Sequence, residues 1–125
     1  MRKDDPLAKK DSITKKDLLN LPLSVSRQAM QKDLGRFFGD DAHRMHIVST
    51  YDLAHNSILL AEEGFGYCLS FEHLADSSED GSIVFRPIVP PLTTRMFIIH
   101  RKFQIFSRQA QLFLDTLEKQ VGETE

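Results

Sequence analysis

The sequence predicts an α/β fold with a mainly parallel sheet flanked by helices. Three observations predict it. Short segments with apolar residues at period two alternate along the chain with segments whose apolar residues recur at helical spacing. Their order, strand, helix, strand, helix, strand, is the one that right-handed crossovers and a sheet covered on both faces require. Gly39 and Gly64 stand where the helical spacing ends, as helix stops do.

Residues 1–12 mix Lys and Asp with one Pro and read as a solvated lead-in. Thr14-Lys15-Lys16-Asp17 has the form of a capping box, in which a hydroxyl and a carboxylate satisfy two helix-start N–H groups. It opens a short helix through Leu18 and Leu19. Leu21–Ser26 alternates apolar and small polar residues and predicts the first strand. Met30, Leu34, Phe37 and Phe38 then share one helical face up to Gly39. Met45–Thr50 predicts a second strand. A helix follows over Leu53–Glu63, with Ala54, Ile58 and Ala61 on its inner stripe.

Gly66–Ser70 predicts a short buried third strand, followed by a turn or helix over Phe71–Ala75 and a polar loop over Asp76–Ser82. Ile83–Ile88 and Thr94–His100 predict two further strands around the Pro90-Pro91 turn. Ser107 caps a last helix whose apolar positions are Ala110, Phe113, Leu114, Leu117 and Val121. Phe37, Phe38, Phe113 and Leu117 are assigned to the core.

A chain of 125 residues supports one domain with a modest core. The net charge of -2 provides no general attraction to nucleic acid or an anionic membrane. The longest apolar run, near Met96–Ile99, is strand-sized and too short to span a bilayer. Met1–Asp5 is charged and leads into no apolar segment, unlike a signal peptide. One cysteine, Cys68, excludes an internal disulfide and fits a reducing, cytoplasmic compartment.

Ligands of parallel α/β sheets collect at the carboxyl ends of the strands. Here that edge comprises Ser26-Arg27-Gln28 and Thr50-Tyr51-Asp52, polar loops leading into helix starts, where free N–H groups favour anions. The competing structural roles are plain: Ser26 or Gln28 capping one helix, Asp52 capping the next, Arg27 solvated. His43 and His46 straddle a loop-to-strand boundary and offer no metal pair. Cys68 reads as core packing. Glu62-Glu63 and the acidic residues of 76–80 lack the fixed spacing that acid–base catalysis needs. No cofactor, metal or catalytic residue is expected.

Four segments resemble the C-terminal effector-binding domain of LysR-type transcriptional regulators. Asp5-Pro6-Leu7-Ala8 resembles the family's "HPLA" segment. Ile13–Pro22 resembles its following helix and strand entry. Leu60–Tyr67 is similar to its "l-V-x-x-G-x-G-i" helix stop and strand. Phe85-Arg86-Pro87-Ile88, Arg95–Arg101 and the helix from Ser107 resemble its closing strands and C-terminal helix. The resemblance spans about residues 4–121 in order. Two positions depart: Asp5 replaces the usual His, and Ser70 stands where many members have Pro.

The resemblance implies a Rossmann-like lobe of a type II periplasmic-binding-protein-like domain. Residues 1–12 would be the crossover lead-in, 13–93 the second subdomain, and 94–125 the C-terminal strand and helix returning to a first subdomain. That subdomain and a winged helix-turn-helix with its linker helix would precede Met1, so DNA would be contacted only through the absent part. Ser26, Arg27, Gln28, Thr50, Tyr51 and Asp52 would line one wall of an effector cleft. A small carboxylate or phosphate-like effector suits Arg27. Cleft closure would pass the signal on, homo-oligomerisation would accompany it, and no membrane is involved. The alternatives are a lobe of a periplasmic-type solute-binding protein, an enzyme sharing that two-lobed architecture, or a free-standing interaction domain.

Overall fold

A computed structural model describes residues 1–74, 81–94 and 97–122. The chain divides into two compact units, Met1–Thr94 and Arg95–Glu125.

In the first unit the lead-in closes a 3-10 turn over Pro6–Lys9, capped by the Asp5 carboxylate at Leu7 N–H. Strand β1 (Ile13–Thr14) runs straight into helix α1 (Lys15–Leu18). The predicted capping box is present: Thr14 Oγ1 accepts from Asp17 N–H, and the Asp17 carboxylate accepts from Thr14 N–H at 2.9 Å. Strand β2 (Pro22–Ser26) follows, then α2 (Arg27–Gln31), α3 (Asp33–Phe38), β3 (His46–Tyr51), α4 (Ala54–Glu62), β4 (Tyr67–Cys68) and β5 (Ile88–Val89).

The main sheet has the order β3-β2-β4, with both pairings parallel. A second, two-stranded parallel sheet joins β1 to β5. Parallel pairing requires crossovers, and α2, α3 and α4 supply them.

β2 is the centre of the structure because neighbours cover it on both faces. Leu23 and Val25 point one way, into a fully buried cluster with Ile13, Leu18, Leu34 and Phe38. Ser24 points the other way, as pleat alternation demands, and meets Ser57 of α4. There the Ser57 hydroxyl donates to Ser24 Oγ at 2.7 Å, and Ser24 shares a further hydrogen bond with Ser49 of β3. A buried hydroxyl stays stable only when partnered, and this chain of serines supplies the partners.

The Gly64-Phe65-Gly66 segment turns α4 into β4. Both glycines have positive φ, and a Cβ on Gly66 would lie 2.5 Å from the Pro22 carbonyl oxygen. The close approach of backbone to backbone at β2 therefore requires glycine.

Several sequence expectations need correction. The helix expected to carry Met30 with Leu34, Phe37 and Phe38 is broken at Lys32, whose φ of -127° leaves helical geometry. The break rotates the apolar stripe, so Met30 is exposed while Leu34 and Phe38 are buried. Ile83–Ile88 is no continuous strand: Ile83 makes one antiparallel bridge to Arg2, and regular pairing begins only at Ile88. The intervening stretch is held by Met1, whose carbonyl accepts from Val84 N–H at 2.8 Å, and by the Arg86 guanidinium, which donates two hydrogen bonds to the Ala8 carbonyl at 3.0 and 2.7 Å. Pro87 has no N–H to donate, and its carbonyl accepts from Ile13 N–H. The third strand is shorter than Gly66–Ser70.

In the second unit Phe97–His100, expected within a strand, form none, and the apolar run is exposed (Ile99 is 89% exposed). Apolar pattern signals a strand that has partners, and among the described residues this run has none. Helix α5 (Arg108–Gly122) starts as expected at Ser107, whose hydroxyl accepts from Ala110 N–H at 3.2 Å. Ala110, Leu114 and Leu117 are half-buried, but Phe113, assigned to the core, is exposed. Residues 75–80 and Arg95–Met96, which carry parts of the expected turn, loop and last strand, lie outside the described residues.

Candidate functional site

The carboxyl ends of β2 and β3 lie side by side because their parallel register pairs Val25 with Thr50 and Ser26 with Tyr51. The register shifts after Leu23, so that Ser24 pairs with Ser49 and Val48 is the extra residue of a bulge. One residue beyond the paired ends, the Arg27 guanidinium lies 3.2 Å from the Asp52 carboxylate. The two loops thus share one rim.

Each loop is fixed from within. Ser26 is the N-cap of α2, its hydroxyl accepting from Ala29 N–H at 3.0 Å. The Tyr51 hydroxyl donates to the Leu69 carbonyl just after β4, reaching past the central strand. Burial, then the neighbouring Cys68, pushes the Tyr51 phenol well above its ordinary ionisation range, so it stays a neutral donor. Burial also pushes the Cys68 thiol up, partly offset by the neighbouring Ser57 and Tyr51 hydroxyls. The thiol is poorly suited to nucleophilic attack.

These three strand ends open onto a cavity of about 530 Å³. Val25, Leu34, Leu69, Ile88 and Leu92 line it, with Leu53, Phe71 and Leu74 also present and exposed. Its polar groups come from Ser26, Gln28, Asp33, Tyr51, Asp52 and His55, with Ser70, Thr93 and Thr94. The volume, and a lining whose surface is mostly apolar, are those of a small-molecule site.

Of the six residues expected at the cleft, Ser26, Gln28, Tyr51 and Asp52 line this cavity. Arg27 does not, and its side chain is turned toward Asp52. Thr50 is exposed and borders a smaller depression with Ser49 and Asn56. Leu69, Ser70 and Phe71 were not among the expected residues, although the strand-end rule that nominated the first two loops applies equally to the end of β4. Asp33 and Thr94 carried no local signal. Their hydrogen bond, Thr94 Oγ1 to Asp33 Oδ2 at 2.8 Å, joins residues far apart in the chain.

A family model described as the LysR substrate binding domain matches residues 1–122. The chain belongs to this family. The α/β fold with parallel sheets is accordingly that of a periplasmic-binding-protein-like domain. Searches of curated proteins and of solved structures returned no match.

The motifs of the LysR substrate-binding domain have physical roles in this chain. Gly64 and Gly66 take positive φ where α4 meets β4. Asp5, at the position where the family usually has His, caps the lead-in turn and accepts a hydrogen bond from the Tyr67 hydroxyl at 2.6 Å. Burial and that contact push the Tyr67 phenol up to about 12. Among the described residues, no group of three His, Cys, Asp or Glu could hold a metal ion, and no helix is long and apolar enough to cross a membrane.

Proposed function

We propose that this chain is the effector-sensing part of a LysR-type transcriptional regulator and has no catalytic role. A small molecule binds in the cavity at the ends of β2, β3 and β4, contacting Ser26, Gln28, Tyr51 and Asp52. Arg27 and Thr50 support the rim from outside. The carrying observation is that three parallel strand ends open on one largely apolar cavity in a chain of this family. That is where open α/β sheets bind ligands.

In this reading residues 13–93 form the second subdomain of the effector-binding domain, and residues 94–125 lead back to a first subdomain. Binding shifts the arrangement of the two subdomains and thereby the DNA grip of an N-terminal domain on the same polypeptide. The protein works in the cytoplasm as a homo-oligomer and meets DNA only through that domain.

The natural reading frame upstream of Met1 tests this. A winged helix-turn-helix followed by a long linker helix is expected. An export signal in its place would instead make the chain a lobe of a solute-binding protein. In the full-length regulator, Gln28→Trp places a large ring at the cavity wall and should abolish the effector-dependent change in DNA binding. An unaltered response would remove the cavity from the mechanism.

A further inference from the structure

We infer that the ligand of this cavity is a mainly apolar molecule of neutral or positive charge, and not the anion that Arg27 suggests. The inference rests on the proposed site and names its ligand class.

Charge on the lining decides the class. Asp33 and Asp52 are on it, and among the described residues no Lys or Arg is. Arg27, on the rim beside the lining, is already paired with Asp52 at 3.2 Å. This pairing leaves Asp33 as the lining carboxylate without an ion-pair partner among the described residues, and the Thr94 hydroxyl donates to it. At this wall a ligand carboxylate would therefore leave water for apolar surface, meet no Lys or Arg among the described residues and face a like charge. Each of these costs affinity. A ligand ammonium loses less, because Asp33 offsets its desolvation.

The start of α4 is the one feature that works the other way. Leu53, Ala54 and His55 line the cavity, and no side chain caps that helix. Its free N–H groups donate to any oxygen acceptor, including a neutral carbonyl or hydroxyl. The Asp52 carboxylate, one residue before the Leu53 cap, offsets the positive end of the helix dipole. The polar groups thus accommodate an uncharged acceptor, and the apolar lining from Leu34, Leu69 and Leu92 accommodates a hydrocarbon or aromatic body.

Three probes that share one ring test the inference: benzylamine, benzyl alcohol and benzoate, each titrated into the chain by isothermal calorimetry. The expected order of affinity is benzylamine first, benzyl alcohol second and benzoate weakest. Asp33→Asn should weaken benzylamine by about threefold, the scale of a part-exposed ion pair, and leave benzyl alcohol unchanged. Gln28→Trp, at an exposed position of α2 where folding is not at risk, should weaken all three. Benzoate binding tightest and lost in Gln28→Trp would overturn the ligand class while leaving the site in place. Binding that Gln28→Trp does not touch would overturn the site itself. No saturable binding of any probe at millimolar concentration would also overturn the inference.

Discussion

The Arg27 guanidinium and the Asp52 carboxylate meet 3.2 Å apart, one residue beyond the paired ends of β2 and β3. The pair shows that the two crossover loops share one edge of the sheet. Both side chains are mostly exposed, so the pair contributes little to stability. A double-mutant cycle with Arg27→Ala and Asp52→Ala should give a coupling of about 0.5 kcal/mol by urea unfolding, fading at high salt. A coupling of several kcal/mol would mean that the rim is held by this pair, and not by the backbone register.

Tyr51 ties β3 to the chain leaving β4 through its hydrogen bond to the Leu69 carbonyl. Tyr51→Phe removes one donor to a half-buried acceptor and should cost about 1 kcal/mol. The chain has two tyrosines, and both phenols are raised from an ordinary value of 10.0, Tyr67 to about 12. The folded state therefore holds its phenolic protons longer than the unfolded state. Stability should be unaffected below pH 10 and fall as the pH rises from there toward about 12. Tyrosinate absorbance in an alkaline titration measures it. Ionisation of both rings near 10.0 in the folded chain would show that they are solvated.

Gly66 and Gly35 should respond oppositely to alanine. At Gly66 the new Cβ meets backbone that cannot yield, at a φ of 136°, so Gly66→Ala should cost more than about 2 kcal/mol. At Gly35, inside α3, nothing lies within 4 Å, so Gly35→Ala should stabilise by up to about 1 kcal/mol. Thermal melts of the two variants suffice to check the pair.

Asp17 closes the capping box and bonds Lys10 Nζ at 2.8 Å. Hydrogen bonds from Lys10, then from Thr14, hold its carboxyl at about 2, below the ordinary 3.8. A depressed carboxyl stabilises the fold fully above 3.8 and loses that contribution as the pH falls through about 2. Asp17→Asn should be about 1 kcal/mol less stable than the parent at neutral pH. In acid urea melts the gap should close between pH 4 and pH 2. A gap independent of pH would assign the loss to shape and not to charge.

What the sequence disclosed depended on how local each signal was. The capping box at Thr14, the β2 alternation and the glycine stop at Gly64 are decided within a few residues, and each formed where expected. The same locality nominated Ser26 and Tyr51, because the strand-end rule needs only the order of elements. What was hidden depended on distant partners. The break at Lys32 dropped Met30 from the apolar stripe, and Arg86 reaching Ala8 interrupted the stretch before β5. Asp33 entered the cavity through Thr94, a relation no window of sequence contains. Arg27 read as an anion receptor because its partner, Asp52, is distant in the chain and near only once β2 and β3 pair.

Backbone amide spectra of the isotope-labelled chain, recorded against a mixed library of small organic fragments, test most directly whether the strand ends form the ligand site. Binding fragments should move the resonances of Ser26–Ala29, Tyr51–His55 and Leu69–Phe71 together, since these segments wall one cavity. Fragments that consistently shifted other residues, with these three segments still, would contradict it.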